Sequence, residues 1–392
     1  MIQIRDNPFL LKKCAPAFIL LFVLSLPVSI AAAEICLTVL FALIVITFRG
    51  HRLSDAGVIT VPIILYSGFS MISAIFSLNL EHSLEDIKSL VLFATPFLIT
   101  YFKDSVPRLK TIVAALYVGA VPSALYALYQ YWTTEGERAT GFMSHWMTFA
   151  EQMMLIGGVA FAFVLFDKGR WRWISALVMI VLAAGCVASL TRSSWLAVLA
   201  GVAVLVAIRK PILTLAIPVG IVVFLALAPS EIRGRALSVV NPYDTSNRNR
   251  LLMVKSGLYM VRDHPLLGVG PDVVGLVYPQ YMDPRATPGA VHLHNNIIQI
   301  AAERGLPTLA AWLWLMVAAA VASFRLLRRS PAASAFAAAA LFAVVGMFVS
   351  GLFEFNFEDS EVKLLFLFIL TVMFLARDGH GMPREKEPEP SS

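Results

Sequence analysis

The sequence contains few charged residues and few cysteines, and each shortage excludes a class of protein. Only 14% of the 392 residues are charged, whereas 58% are hydrophobic, and the mean hydropathy is +0.77. Soluble domains carry about 25% charged residues, so this composition excludes an ordinary soluble protein. The cysteines, Cys14, Cys36 and Cys186, lie in or beside apolar runs and offer neither a disulfide framework nor a metal-binding spacing.

Familiar catalytic and cofactor motifs are also absent from the sequence. No P-loop, dinucleotide fingerprint or Ser-His-Asp spacing occurs, and Gly268-Val-Gly270 has no strand before it, which predicts a turn. The basic pI, near 9.3, does not indicate nucleic-acid binding, because the basic residues lie in short loops between apolar runs. We therefore expect no nucleic-acid partner and no cofactor.

The acidic residues offer no recognisable metal site either. One dense carboxylate set occurs near the C-terminus, and its spacing matches no metal-binding loop. Its members are Glu354, Glu358, Asp359 and Glu361. We expect this set to form a solvated rim or to pair with a basic loop, and we expect no metal.

Long, continuous apolar runs dominate the chain. About 20 apolar residues span a bilayer as a helix, and lipid accepts only helices or closed barrels. Because the runs are continuous rather than alternating, they predict an all-α polytopic membrane protein with about 12 transmembrane helices. The predicted spans are near 12–28, 31–48, 57–76, 86–102, 110–131, 147–166, 173–190, 193–208, 211–228, 295–323, 333–352 and 362–376. The first two are expected to form a hairpin that turns near Pro27 and Ser29, rather than a cleaved signal peptide.

The loops between these spans alternate in charge. One set is basic, and the positive-inside rule places it in the cytoplasm together with both termini. It contains Lys12, Lys13, Arg49, Arg52, Lys103, Arg108, Lys110, Lys168, Arg170, Arg172, Arg209, Lys210, Arg325, Arg328, Arg329, Arg384 and Lys386. The other set, which includes 133–145 and 352–361, is poor in Lys and Arg and is predicted to face outward.

The chain divides into four parts. Residues 1–228 hold the first nine spans, 229–294 form one large outward loop, 295–377 hold the last three spans, and 378–392 form a Pro/Glu-rich tail predicted to be disordered in the cytoplasm. Within the loop, 246–264 predicts an amphipathic helix capped by Thr245 or Ser246. Its predicted apolar stripe is Leu251, Leu252, Val254, Leu258 and Val261, and its polar face carries Arg248, Arg250, Lys255 and Arg262.

Two histidines mark the point where this loop becomes a helix. His292 and His294 are followed by Asn295 and Asn296, and Asn is a favoured helix N-cap. A helix start exposes N–H groups and attracts anions, and a neighbouring imidazole can accept a proton near neutral pH. The alternative is that His294 only caps or anchors the helix.

Arginines accompany the histidines in the outward segments. Arg192 lies at the junction of two apolar runs, where a charge is costly, and it is either functional or a snorkelling side chain. Arg138 and His145 form a further basic pair. Arginine grips phosphate oxygens bidentately and stays charged, so these residues suit an anionic substrate that arrives from the membrane.

Four segments together resemble the O-antigen ligase and polymerase family of bacterial envelope glycosyltransferases. They are Arg138-Ala-Thr-Gly-Phe-Met-Ser-His145, Thr191-Arg-Ser-Ser-Trp-Leu-Ala197, Arg250-Leu-Leu-Met253 with Asp263-His-Pro-Leu-Leu-Gly-Val-Gly-Pro271, and His292-Leu-His-Asn-Asn296. The resemblance implies a GT-C-like, metal-independent enzyme in the inner membrane of a Gram-negative bacterium. It also implies inverting glycan transfer from undecaprenyl diphosphate, in the ligase branch to lipid A-core, at the periplasmic face.

The resemblance also implies residue roles. His294 corresponds to the essential histidine that activates the acceptor hydroxyl, and Arg192 and Arg250 to the pair that holds the diphosphate. Arg248, His292, His145 and Arg138 are secondary candidates. The implied partners are the lipid-linked glycan, lipid A-core and membrane lipids.

Other functions remain open at this point. An O-antigen polymerase, or a ligase that transfers the glycan to protein, shares these motifs. A transporter or flippase is a different class, and it would place ionisable residues and broken helices in mid-membrane. The inner stretches of the predicted spans look nearly charge-free, which favours surface chemistry over transport.

Overall fold

The structure is a computed structural model that describes residues 8–47, 56–241, 243–286 and 288–382. Four of the predicted cytoplasmic residues, Arg49, Arg52, Arg384 and Lys386, lie outside the described residues, as does most of the predicted tail. Within these ranges the chain contains helices, turns and loops but no strand.

The α-helices, in chain order, are α1 (Pro8–Ser25), α2 (Ile30–Thr47), α3 (Thr60–Ile75), α4 (Leu80–Asp86), α5 (Thr95–Tyr101), α6 (Leu109–Thr133), α7 (Trp146–Phe166), α8 (Arg170–Ala188), α9 (Arg192–Arg209), α10 (Ala216–Leu227), α11 (Ser230–Leu237), α12 (Thr245–Asp263), α13 (Val274–Tyr281), α14 (Asn296–Arg329), α15 (Ser334–Ser350) and α16 (Ser360–Arg377). Short 3₁₀ segments cover Gly57–Ile59, Ile87–Ala94, Lys103–Ser105, Pro211–Leu215 and Ser238–Val240.

The apolar helices confirm an all-α polytopic membrane protein. Among the described residues, six helices are long and apolar enough to cross a bilayer: Gly57–Ile75, Leu109–Thr133, Trp146–Phe166, Arg170–Ala188, Arg192–Arg209 and Asn296–Arg329. Shorter apolar helices cover Cys14–Ser25, Ile30–Ile46, Pro211–Leu227 and Ser334–Ser350. The turn between α1 and α2 falls near Pro27, as predicted. The number of about 12 spans and the GT-C likeness stay predictions.

The predicted span at 86–102 is built differently from the others. It is a 3₁₀ segment, Ile87–Ala94, followed by the short helix α5. Pro96 has no N–H to donate to the Leu92 carbonyl, and the Thr95 hydroxyl bonds that carbonyl instead, at 2.7 Å. A single continuous α-helix is therefore interrupted at this point.

The expectation of nearly charge-free spans is wrong for several buried side chains. Arg304 of α14 is fully buried and pairs with Asp86 at 2.7 Å and with Glu358 at 3.1 Å. Lys363 of α16 lies 3.0 Å from Glu358 and is buried as well. Glu151 of α7 is 1% exposed. Lys363, Glu151 and Arg304 are the fourth, sixth and ninth residues of their helices, and polar partners from neighbouring elements offset part of the cost of removing these groups from water.

Close helix packing fixes the centre of the bundle around Phe342 of α15. Gly158 of α7 and Gly201 of α9 face its ring, and a Cβ on them would lie 2.1 Å and 2.6 Å from it. Small residues at these crossings let the backbones approach, which is how helices associate in lipid. This packing sets the positions of the first residues of α7 and α9.

Several helix ends meet at one end of the bundle, which we call the site end. Helices α7, α9, α14 and α16 begin there, and α8 and α15 finish there. Hydrogen bonds join these ends: Ala139 N–H donates to Ala188 at 3.2 Å, and Asn296 N–H donates to Gly351 at 2.7 Å. Thr148 donates to Asp359 at 2.5 Å.

The segment Pro265–Pro271 fastens the large loop to this end. The N–H groups of Val269 and Gly270 donate to Ala302 and Glu303 of α14, at 2.8 and 2.9 Å. Gly268 has a φ of +68°, and a Cβ there would lie 2.3 Å from the Glu303 carbonyl. The predicted turn is confirmed, and it also serves as an anchor. Gly305, with φ +80°, kinks α14 where the segment crosses it.

Candidate active site

Helix α12 carries Arg250 toward the bundle. Its Leu252, Met253, Ser256 and Met260 are buried. Gly257 allows close approach to the start of α14, because a Cβ there would lie 2.3 Å from Ile298. The helix itself is confirmed within one residue, but its N-cap is Asp244 rather than Thr245 or Ser246.

The predicted faces of α12 are wrong in two respects. Leu251 and Leu258 are 72% and 52% exposed, so they do not belong to the buried stripe. Arg250, assigned to the polar face with Arg248, is only 20% exposed and points inward. Arg248 lies on the exposed surface, where its backbone N–H bonds Asp244. The structure therefore brings Arg250, and not Arg248, into the site.

His294 occupies a strained position directly before α14. Its φ is +49°, a left-handed conformation that non-glycine residues rarely adopt. Leu293 beside it is fully buried, and its N–H donates to Gln299 at 2.6 Å. Asn295 is the N-cap, accepting from Ile298 N–H at 3.0 Å, which confirms the predicted helix start. These contacts fix the imidazole at the site end.

Glu354, on the loop between α15 and α16, connects the candidate residues. Its Oε1 lies 2.5 Å from Nδ1 of His294, and its Oε2 accepts from Nη2 of Arg250 at 3.2 Å. His292 Nε2 lies 3.7 Å from Oε1. Of the two expectations for the acidic set, pairing with the basic loop is confirmed for Glu354, and a solvated rim is wrong for it.

The electrostatics of Glu354 follow from these contacts. Burial raises the pKa of its carboxyl, but hydrogen bonds from His292 and His294 and the charge of Arg250 act in the opposite direction, and the pKa is lowered to about 2. The group is therefore an anion at neutral pH. An anionic acceptor at Nδ1 favours the imidazole tautomer protonated on that nitrogen, which leaves Nε2 able to take a proton.

Arg192 begins α9 and is only 4% exposed. Its Nη1 donates to the Ser238 hydroxyl at 2.7 Å and to the Ser238 carbonyl at 3.1 Å, and its Nη2 donates to Asp244 at 3.2 Å. This buried, multiply bonded geometry is not that of a snorkelling side chain, which extends along lipid to reach water. Asp244 also caps α12, so it links Arg192 to the helix that carries Arg250.

Four arginines lie within electrostatic reach of one another. Burial and the charges of Arg192 and Arg250 lower the pKa of Arg138. Burial and the charges of Arg138, Arg192 and Arg250 lower the pKa of Arg235 to about 10. Arg235 was missed by the sequence analysis, because no local pattern distinguishes it from the other cations of the large loop. Its Nε–H donates to Leu190 at 3.2 Å, beside the start of α9.

The other secondary candidates have structural contacts of their own. His145 is the N-cap of α7, and its Nδ1 accepts from Met147 N–H at 3.2 Å. Burial lowers the pKa of His145, which favours the neutral ring that a cap requires. Arg138 lies over the ring of Trp146 at 5.0 Å. These contacts place both residues at the border of the site.

Three of the side chains also have a spacing that a metal ion can use. Ligand atoms of His292, His294 and Glu354 lie within 4.8 Å of one another, and zinc enzymes often use three protein ligands. The Glu354 carboxylate already forms a salt bridge with Arg250, and the surrounding arginines repel a divalent cation. The arrangement therefore favours an anion over a metal cation.

Residues 177–313 match the family model described as O-Antigen ligase. The matched segment runs from α8 into α14 and contains Arg192, Arg235, Arg250 and His294. Glu354, Arg138 and His145 lie outside it. No curated protein matches the chain.

Proposed function

We propose, from the match of residues 177–313 to the O-antigen ligase family model, that the protein transfers a lipid-diphosphate-linked glycan to an acceptor hydroxyl at the site end. Members of this family are glycosyltransferase-type enzymes that act on lipid-linked glycans. The observation that carries the proposal is the junction of His294, Glu354 and Arg250 beside the buried Arg192. This junction places a candidate base beside fixed cations.

In the proposed reaction the arginines hold the donor diphosphate. Arg192 and Arg250 supply planar, permanently charged guanidinium groups suited to phosphate oxygens. Arg138 and Arg235 add positive potential nearby. As the bond between the anomeric carbon and the phosphate oxygen breaks, the electron pair stays on the diphosphate, and these cations stabilise the developing charge.

His294 is the proposed general base. The acceptor hydroxyl donates its proton to Nε2 as its oxygen forms a bond to the anomeric carbon, opposite the departing diphosphate, so the configuration inverts. Glu354 holds Nδ1–H and stabilises the imidazolium that forms. A positioned base of this type contributes roughly 10²- to 10⁴-fold to the rate.

The proposed donor is an undecaprenyl-diphosphate-linked O-antigen, and the proposed acceptor is lipid A-core at the periplasmic face of a Gram-negative inner membrane. Charge alternation among the loops supports this orientation, because the site end carries the loops predicted to face outward. Cytoplasmic termini and a GT-C-like arrangement belong to the same proposal.

Reconstitution with defined substrates tests this function. Purified protein in lipid vesicles is supplied with a lipid-diphosphate-linked glycan and lipid A-core, and the products are identified by mass spectrometry. The proposal expects glycan on the core sugar and none with His294→Ala. Elongated lipid-linked glycan would indicate a polymerase, glycan on a supplied acceptor protein would indicate a protein ligase, and movement of the lipid without transfer would indicate a flippase.

A further inference from the structure

Glu151 of α7 is a buried carboxylate that the proposed reaction does not use. It is 1% exposed, and its Oε1 accepts hydrogen bonds from two hydroxyls that belong to other helices. Ser194 of α9 donates at 3.1 Å, and Ser350 at the end of α15 is the second donor. The carboxylate therefore joins three helices at the site end.

Each of these two serines lies close in the sequence to a candidate functional residue. Ser194 lies two residues after Arg192, in the first turn of α9. Ser350 opens the loop that carries Glu354, and its hydroxyl also accepts from Asn356 Nδ2 at 3.1 Å. Glu151 is thus hydrogen-bonded to the helix turn that carries Arg192, through Ser194, and to the start of the loop that carries Glu354, through Ser350.

The same network continues to the helix that follows His294. Asn296 Nδ2 donates to Asn356 Oδ1 at 2.8 Å, and Asn356 N–H donates back to Asn296 Oδ1 at 3.1 Å. Asn296 N–H in turn donates to Gly351 at 2.7 Å. A continuous hydrogen-bonded path therefore runs from the start of α9, through Glu151, to the start of α14.

We propose that Glu151 is a positioning residue that sets the distance between Arg192 and the His294–Glu354 pair. The inference rests on the proposed function, which requires both to act on one substrate. Catalysis depends steeply on such distances, and a displacement of about 1 Å can reduce the rate by roughly 10²-fold.

Stability alone is a poor explanation for this carboxylate. Its Oε2 is buried and has no hydrogen-bond partner among the described residues. An incompletely satisfied buried carboxyl is less favourable than an apolar side chain of similar volume. The two hydroxyl contacts that hold separate helices together are the feature that an apolar side chain would not reproduce.

Steady-state kinetics of four purified full-length proteins tests the proposal: wild type, Glu151→Gln, Glu151→Ala and Gln152→Ala. Gln accepts the same two hydrogen bonds, so Glu151→Gln keeps kcat within about threefold. Glu151→Ala lowers kcat by roughly 10- to 100-fold, while KM for the lipid-linked donor changes far less. Gln152 is also buried, and its side chain donates to the Leu26 carbonyl at 2.9 Å, away from the path between α9 and α14, so Gln152→Ala lowers the melting temperature and leaves kcat unchanged.

Several results would overturn the inference. One is a kcat for Glu151→Ala equal to that of Gln152→Ala, and another is a Glu151→Gln variant as slow as Glu151→Ala. If Glu151→Ala does not fold, Ser194→Ala removes one of the two contacts and is expected to lower kcat partway, and an unchanged kcat there contradicts the inference. Absence of transfer by wild type and Gln152→Ala would instead refute the proposed function, and this inference with it.

Discussion

His294 and Glu354 are 60 residues apart in the chain, yet Nδ1 of one lies 2.5 Å from Oε1 of the other. The second oxygen of the same carboxylate binds Arg250. One buried anion therefore orients both the proposed base and one of the proposed phosphate ligands. Its removal affects both groups together, which distinguishes Glu354 from an ordinary surface partner.

The first prediction concerns Glu354→Gln. The amide keeps the shape of the side chain but removes the charge that stabilises the imidazolium, so kcat for glycan transfer falls by roughly 10²-fold. The control is Glu137→Gln, at an exposed glutamate in the loop before α7, which is expected to retain wild-type kcat. An unchanged kcat for Glu354→Gln would show that the carboxylate plays no part in the reaction.

Stability should depend on pH through the same residue. The pKa of Glu354 is about 2 in the folded protein, below the ordinary value of 4.5. The group therefore contributes stability that is complete above the unfolded pKa and is lost as the pH falls toward the folded pKa. Melting temperatures measured between about pH 6 and pH 3 should fall more steeply for wild type than for Glu354→Gln. If the melting temperatures of wild type and Glu354→Gln fell in parallel with pH, the lowered pKa of Glu354 would be contradicted.

Two single substitutions on α12 compare the contributions of Arg250 and Arg248 to glycan transfer. Arg250→Ala removes an inward guanidinium whose charged hydrogen bonds are worth about 1.5–3 kcal/mol, so kcat/KM falls by roughly 10- to 150-fold. Arg248→Ala, on the exposed face, should stay within about threefold of wild type. The reverse ranking would mean that α12 presents its other face to the substrate.

A substitution at Gly268 tests whether the contact between Pro265–Pro271 and α14 stabilises the protein. Gly268→Ala forces a Cβ to 2.3 Å from the Glu303 backbone at a φ of +68°, which is expected to cost about 1–3 kcal/mol. Gly234→Ala, in α11 with nothing within 4 Å of the added Cβ, should be neutral or slightly stabilising. Thermal unfolding of both variants in detergent provides the comparison. Equal melting temperatures would indicate that the loop does not depend on this contact.

Local signals allowed much of the fold to be predicted from the sequence. Continuous apolar runs identified the long membrane helices, and Asn295 identified the start of α14 because capping depends on adjacent residues. The faces of α12 were harder to assign, because Leu251 and Leu252 begin two apolar stripes and only tertiary packing selects the buried one. Arg250 was consequently grouped on one polar face with Arg248, although Arg248 is exposed and Arg250 is only 20% exposed.

The contacts that assemble the site could not be predicted from local sequence patterns, because they join residues that are far apart in the chain. Glu354 was visible as part of an acidic set, but its partners come from two distant segments. Glu151 is a single carboxyl in an apolar helix, and its meaning depends on Ser194 and Ser350, which no local spacing connects to it. Arg304 and Lys363 were likewise invisible as partners of Glu358.

The central claim is that the arginines hold the donor while His294 performs proton transfer. Its most direct test measures donor binding and single-turnover transfer for Arg192→Ala and His294→Ala in the same vesicles. The account predicts that His294→Ala binds the lipid-linked donor with near wild-type Kd but transfers nothing, whereas Arg192→Ala weakens donor binding by about tenfold or more. Rapid transfer by His294→Ala, or unchanged donor binding by Arg192→Ala, would contradict it.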